Sequence, residues 1–555
     1  MKKIISVMLC IAMLFTSFSL VSFAADDDMK IIVANDLHLS AKAYKPYTGN
    51  TQTNAWAHVA SSGQLIIESN AIITAFLEKA AESDADFILL PGDLVDAGAE
   101  EEHLLMAAKL ATFEAETGKS VFVVPGNHDF FKSDLDFFKA TYSAFGFSEA
   151  IAVNENNASY VAELSGDFRL LAIDSTIPGD SKPEIDADEL NWIKTQLEKA
   201  NADGKKVVAM MHHNLVEHFV LADMIHSSAV VPSAELADVL ADGGVKYIFT
   251  GHTHDQDIAS YTSSAGNVIY DVVTNTLNAY PCTYREVSFG KNAVFTAKNV
   301  DKVNTALIPA GLSAEAMSLA ESNFTEYSKK TMWIGLRKTF TGYTNAKALI
   351  NLLNIDPEAD PDMARIITSL GDKLAESIQM PFYGADGNNL SALAAKYGKT
   401  LPTSEYTDLI DLAINLYQAH CVGDEYYPAN STEIQLLMNG VATVLCYCLE
   451  DVSAEDYTAV LRFVIDWTGA DVPEGLLGFA GSSMERIEGI DMLVTVVLRP
   501  LVAEFTTDSS PADNNVTLEG YEKLSGFEAF VKKIGDFFRM IFDFFKKIFS
   551  FVPMA

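Results

Sequence analysis

Basic residues are scarce: the 555-residue chain sets 39 Lys+Arg against 75 Asp+Glu, a formal net charge of −36 at pH 7. Such a surface repels nucleic acid and anionic membrane at long range, which excludes a protein that coats DNA or RNA. A small phosphorylated substrate is not excluded, because bound metal ions make one pocket positive inside an acidic shell. Cysteine is scarce as well, with 5 in the whole chain. Cys10 lies in the apolar leader; Cys282, Cys421, Cys446 and Cys448 lie beyond it. This excludes a disulfide framework and leaves no zinc-finger spacing. A bridge from Cys421 to the Cys446/Cys448 pair and free buried thiols both stay open. Past the N-terminus there is no uninterrupted apolar stretch of about 18 residues, so no further spanning helix is expected. What is present, 49% apolar and 21% charged residues, describes a globular chain. Its length allows three or four domains of roughly 150 residues.

The single long apolar run reads as an export signal. Met1-Lys2-Lys3 is a short basic start, the run from Ile4 to Phe23 follows, and Ser22-Phe23-Ala24 offers small residues for cleavage before the acidic Asp26-Asp27-Asp28. A signal peptide over 1–24 and a secreted or extracellular, cell-surface-associated protein are therefore expected. An uncleaved anchor is the alternative.

Short β-branched runs at 29–34, 87–90, 120–124, 168–173, 206–211 and 245–250 alternate with helical patterns near 65–81, 100–116, 189–200 and 233–241. Nearly continuous apolar strands separated by helices predict an α/β layer structure with a largely parallel sheet. At 268–273, 284–289 and 293–298 the pattern becomes alternating, with a hairpin turn at Gly290-Lys291. These segments make one domain, 28–300. Strand runs then vanish, and 301–505 reads as an all-α domain. Residues 506–526 are polar and turn-rich at their start and read as a linker. Over 527–552, Phe527, Phe530, Val531, Ile534, Phe537, Phe538, Ile541, Phe545, Ile548 and Phe549 form one apolar stripe at helical spacing, with Lys532, Lys533, Arg539, Lys546 and Lys547 between them. This C-terminal amphipathic helix fits peripheral contact with a membrane interface, or packing onto the protein itself or a second copy, equally well.

Five motifs follow predicted strands: Asp36-Leu37-His38, Gly92-Asp93-Leu94-Val95-Asp96-Ala97-Gly98, Gly126-Asn127-His128-Asp129, His212-His213, and Gly251-His252-Thr253-His254. Ligands of open α/β sheets bind beyond the carboxyl ends of the strands, where such loops converge. Carboxylate, imidazole and amide oxygen without thiolate suit divalent or trivalent Zn, Mn or Fe. In an extended segment, Asp36 and His38, and likewise His252 and His254, would point the same way. Two adjacent ions need a bridging carboxylate, and Asp93 beside Gly92 suits that task. Each motif alone has an ordinary turn or cap as its bland explanation; all five in order do not.

Together they resemble the signature of the calcineurin-like metallophosphoesterase superfamily, which includes purple acid phosphatases, cyclic-nucleotide phosphodiesterases and Ser/Thr phosphatases. The resemblance covers about half the chain and implies a layered α/β/β/α sandwich ahead of the helical domain. It implies two metal ions, one held by Asp36, His38, Asp93 and His254, the other by Asp93, Asn127, His212 and His252. His128 would stabilise the phosphoryl group or protonate the leaving oxygen, oriented by the carboxylate of Asp96. Many members read His-His-Pro where this chain has His212-His213-Asn214; His212 is taken as the ligand and His213 as a neighbouring or substrate contact. The implied reaction is hydrolysis of a phosphate ester by attack of a hydroxide generated at the metal pair, with a slight lean to diesters. The rival is a non-catalytic surface module binding phosphorylated ligands, against which the complete ligand set argues. Elsewhere, His103 is expected on a solvated surface, Asp174 as a turn cap and His420 as structural, while nothing places His58, His218 or His226.

Overall fold

The computed structural model describes residues 28–40, 63–218, 231, 234–309, 312–342, 346, 347, 350, 355–385, 387–468, 482–507 and 511–521. The expected leader at 1–24 and amphipathic helix at 527–552 lie outside the described residues, as do His58 and His226.

The strands are β1 (Met29–Val33), β2 (Phe87–Pro91), β3 (Ser120–Val124), β4 (Ala150–Val153), β5 (Tyr160–Glu163), β6 (Phe168–Ile173), β7 (Lys206–Met211), β8 (Tyr247–Thr250), β9 (Asp257–Thr262), β10 (Val268–Val273), β11 (Thr283–Phe289), β12 (Asn292–Asn299) and β13 (Asn515–Glu519). They form two sheets, ordered β13-β12-β11-β1-β2-β3 and β4-β5-β6-β7-β8-β10-β9. The centre of each is parallel: β1–β2–β3 in the first and β6–β7–β8–β10 in the second. Antiparallel β4, β5 and β9 flank the second. Helices Ser69–Glu82 and Glu100–Thr117 pack on the first sheet, and Ala187–Ala202 and Ala234–Asp242 on the second. The inner faces meet, with Tyr160 donating to the Val123 carbonyl at 2.9 Å and the Tyr247 and Phe295 rings 5.2 Å apart. The result is the α/β/β/α order. Central strands covered on both faces explain the unbroken apolar runs: Ile31, Ile32 and Val33 of β1 are fully buried.

Three strands were not legible. β4 and β9 are the edges of the second sheet and β5 lies between β4 and β6; β4 and β5 have four residues each, too short for a period to register, and β9 is largely polar. The expected linker also differs, for its Asn515-Val516-Thr517-Leu518-Glu519 forms the edge strand β13, whose period-2 alternation is a strand pattern that the preceding turn-rich residues obscured.

Past β12 the chain is helical, from Ala314–Ser322 and Phe324–Gly342 through Pro361–Ile378, Leu390–Lys396, Leu409–Val422, Thr432–Leu449, Ala454–Thr468, Ser483–Leu493 and Arg499–Phe505. Asp360, Asn389, Asp408, Ser431 and Ser482 each cap a helix by accepting a backbone N–H of its first turn. Phe324 and Tyr327 join the core of the first sheet, whereas the later helices close a second core around Leu412, Ile434, Leu436 and Tyr457. Among the described residues, Thr432–Leu449 alone is long and apolar enough to cross a membrane; here it forms the middle of that second core. Both the strand-rich and the helical segments belong to one large unit, 30–287 with 295–516. A small unit contains 288–294 with 517–521, where the Phe289 and Tyr521 rings meet at 6.0 Å.

Candidate metal centre

All five motifs leave the carboxyl ends of β1, β2, β3, β7 and β8. The loops after β1 and β2 run side by side: Asp36 N–H donates to the Gly92 carbonyl, His38 N–H to the Asp93 carbonyl at 3.0 Å, and Leu39 N–H to the Leu94 carbonyl. Thr276, three residues past β10 of the second sheet, donates to the Asp36 carbonyl at 2.7 Å, and the Asn35 amide donates to the Thr250 carbonyl. These bonds stitch the two strand-end clusters together.

The side chains converge. His38 Nε2 lies 3.2 Å from His254 Nε2, and His254 Nε2 lies 3.5 Å from Asp36 Oδ1. On the other side, His212 Nε2 lies 3.1 Å from Asn127 Oδ1. Asp93 Oδ2 stands between the two sets, 3.7 Å from His38 Nε2 and 3.4 Å from His212 Nε2. The His252 ring lies 5.1 Å from that of His212 and 4.4 Å from that of His213. Potential ligand atoms of Asp36, His38 and His254, of Asp36, Asp93 and His212, and of His212, His213 and His252 form groups within 4.8 Å. The structure thus brings together Asp36, His38, Asp93, Asn127, His212, His252 and His254. The donor set fits a pair of cations, because a buried convergence of imidazole nitrogens and carboxylate oxygens offers lone pairs to a common centre.

Backbone geometry aims these groups. Asp36 (φ 51°), His38 (φ 43°), Asp93 (φ 49°), His252 (φ 70°) and His254 (φ 59°) all adopt the left-handed region, and they are five of the seven non-glycine residues that do so among the described residues. Each costs about 1–3 kcal/mol and persists only where its surroundings over-determine it. This corrects the expectation of extended alternation. The D-x-H and H-x-H segments are left-handed turns, and His252 faces His212 and His213 while His254 faces His38. Gly126 is required by close approach: a Cβ there would lie 2.2 Å from Asp93 Oδ1 and 2.4 Å from Asp93 N.

The charges are strongly coupled. Burial opposes ionisation of Asp93, yet His212 and His128 outweigh it and hold the carboxyl well below its ordinary range. Burial likewise opposes a charge on His212, but Asp93 overcomes it and lifts the imidazole to about 9. His254 rises against burial through Asp36. Burial, then His128, pushes His38 down, which favours the neutral imidazole that a metal needs.

His128 sits at the edge, partly exposed. Its backbone N–H donates to Asp93 Oδ1 at 2.9 Å, and its ring lies 4.6 Å from that of His38 and 4.5 Å from that of Phe131. Its Nδ1 meets the main-chain carbonyl of Asp96 at 2.6 Å. Asp96 therefore orients His128 through its backbone, and its carboxylate instead lies 3.9 Å from His38 Nδ1. The loop places the peptide oxygen, not the side chain, against the ring.

Other residues support the centre from behind. The carboxylate of Asp129 accepts backbone N–H bonds from Leu94, Val95 and Gly126, tying the second motif to the third. Burial and the nearby Asp93 push it up to about 8 against the pull of those donors. His103 is fully buried, contrary to expectation; its Nδ1 meets the Tyr142 hydroxyl and its Nε2 the Asp129 carbonyl, each at 3.0 Å, and burial lowers it to about 4. The signal was present, since His103, Met106, Leu110 and Phe113 form one helical stripe. His213 bonds the Ser175 hydroxyl at 2.8 Å, and burial, then His212, pushes it down to about 3. Asn214 donates to the Thr250 hydroxyl and the Gly251 carbonyl, bracing the start of the fifth motif. Asp174 caps its turn by accepting from Ala158 N and Thr176 N at 3.0 Å. His218 is paired between Asp257 and Asp271, away from the ligand set.

Residues 29–256 match the family model for calcineurin-like phosphoesterases. A probable cyclic nucleotide phosphodiesterase from Rhodococcus erythropolis is 25% identical over 210 residues, 37% of this chain and 64% of that protein. A cAMP/cGMP dual specificity phosphodiesterase from Mycobacterium tuberculosis is 27% identical over 176 residues, 32% of this chain and 51% of that protein. The chain thus spans between half and two-thirds of the length of these two curated relatives. A crystal structure of a dimetal phosphatase from Danio rerio matches at 12% identity with a TM-score of 0.38, over 50% of this chain and 98% of that one.

Proposed function

We propose that this chain, whose residues 29–256 form a calcineurin-like phosphoesterase domain, is a metal-dependent hydrolase of small phosphate esters. The observation that carries the reading is the position of Asp93, one carboxylate oxygen of which faces an imidazole of each ligand set. Asp36, His38, Asp93 and His254 would hold one ion, and Asp93, Asn127, His212 and His252 the other. When bound, such a pair supplies Lewis-acid neutralisation of phosphate oxygens and a water of lowered pKa.

The chain's own residues do the rest. The left-handed turns fix the carboxylates and imidazoles before substrate arrives, so little reorganisation is needed. The His128 Nδ1 proton is held on the Asp96 carbonyl, which leaves Nε2 as the ring atom available to the ester. Protonated there, His128 donates to the departing oxygen as general acid. Phe131, 46% exposed and tilted against the His128 ring, gives an apolar edge where an organic leaving group departs. Phosphodiesters are favoured over monoesters because the two curated relatives described above are named as phosphodiesterases. Action outside the cytoplasm is part of the proposal and rests on the basic start and apolar run ahead of Ala24.

Metal analysis of the purified chain should find two ions, from among Mn, Zn and Fe. Bis(p-nitrophenyl) phosphate should be hydrolysed faster than p-nitrophenyl phosphate. Two ions without hydrolysis of either ester would convert the reading into a phosphate-binding module. No ions at all would end it.

A further inference from the structure

The fifth motif continues as Asp255-Gln256-Asp257-Ile258, and that continuation is gripped from the helical region. Asp255 is fully buried, and its Oδ1 lies 3.1 Å from Nε2 of His420, a residue 165 positions away at the end of helix Leu409–Val422. Nδ1 of His420 meets Glu425 Oε1 at 2.7 Å, and the Phe505 ring covers the imidazole at 4.4 Å. With a carboxylate at each nitrogen, the ring carries both protons and donates to both sides. The helix end favours that cation.

Neighbouring contacts repeat the pattern. A Cβ on Gly423 would lie 2.8 Å from Gln256 Cγ and 2.9 Å from the Gln256 carbonyl, so the chain crosses the loop at the closest approach a glycine permits. The side-chain Nε2 of Gln256 donates to Asn514 Oδ1, and its side-chain Oε1 accepts Asn275 N–H. Asp513 accepts the backbone N–H groups of Ile258 and Asp424. Asp424 is also the one non-glycine residue with positive φ among the described residues of 301–521.

We propose that His420 is a positioning residue for the metal centre: it holds Asp255 and thereby fixes the left-handed turns that present His252 and His254. The inference rests on the phosphoesterase reading above. Those two turns are strained, and strain of this kind needs external restraint. Removing the imidazole would take a charged hydrogen-bond donor from the buried carboxylate of Asp255, and the loop would shift to restore its solvation. The loss then falls first on His254, the ligand joined directly to Asp255.

The test uses the full chain and Mn²⁺ alone. Titration calorimetry and the electron paramagnetic resonance signal of a coupled Mn²⁺ pair are compared for wild type, His420→Ala, Asp255→Asn, the double variant of these two, and Arg365→Ala. Arg365 pairs with Asp456 on the outside of the helical region and serves as control. Both loop variants should weaken one Mn²⁺ by about 10–100-fold. They should lose the coupled signal, and the double variant should be no worse than either single one. Arg365→Ala should behave as wild type. Should His420→Ala fail to fold, Asp255→Asn decides alone. Wild-type affinity for both ions in the folded variants would overturn the proposal, as would an equal weakening of both ions. A wild-type chain that takes up no Mn²⁺ pair would overturn the underlying site assignment as well.

Discussion

The strand-rich and helical regions differ in where their backbone is strained. In the first, Asp36, His38, Asp93, His252 and His254 all lie in the left-handed region, and all belong to one cluster. In the helical region Asp424 alone does so among the described residues, and it lies in the segment that meets the 255–258 loop. Left-handed backbone gathers at the proposed ligands in one region, where Cys282 is the one further case among the described residues, and at the segment that meets the 255–258 loop in the other. Elsewhere among the described residues the helices are capped and packed in the ordinary way and carry no such feature.

The comparison breaks most sharply at Asp93. Asp93→Ala should cost both ions and lower kcat/KM by at least about a thousandfold, read by metal analysis and diester hydrolysis. Retention of both ions would mean that no carboxylate bridges them. His128→Ala should lower kcat by roughly 10²–10⁴ while both ions stay; an emptied site would make it a ligand instead. In the helical core, Leu436→Ala should cost about 2–5 kcal/mol of stability by denaturant melting. Its kcat at 25 °C should be unaltered, and a matching fall in kcat would erase the distinction between the regions.

A graded effect sharpens the comparison further. His420 faces Asp255 and Glu425; burial opposes its charge, but Asp255 first and then Glu425 raise it from 6.5 to about 10. Its folded pKa lies above its unfolded one, so its contribution to stability is fully present below about pH 6.5 and is lost as the pH rises toward about 10. The melting-temperature gap between wild type and His420→Gln should therefore narrow over that window. A gap that widened with pH would contradict the pairing.

Much of the site was legible because its chemistry is unusual in composition. Asp36, His38, Asp93, Asn127, His212, His252 and His254 are polar residues placed directly after apolar strands, where packing gives no reason for them. The central strands were legible for the opposite reason, since burial on both faces leaves unbroken apolar runs. What was not legible depends on tertiary contact. The left-handed turns replace the extended geometry that D-x-H and H-x-H spacing suggested, because φ is set by the crossing loops and not by residue type. The Asp96 peptide oxygen does what its carboxylate was expected to do, since backbone atoms leave no trace in sequence. The pairing of His420 with Asp255 was not legible because the two residues lie 165 positions apart in the chain. His103 was legible in principle, from the helical stripe it shares with Met106 and Leu110.

The central claim is that Asp93 stands between two cations. Crystals grown with Mn²⁺ and measured at the manganese absorption edge test it directly. The account predicts two anomalous peaks flanking the Asp93 carboxylate, one among Asp36, His38 and His254 and one among Asn127, His212 and His252. A single peak, or two peaks that leave Asp93 to one side, would contradict it.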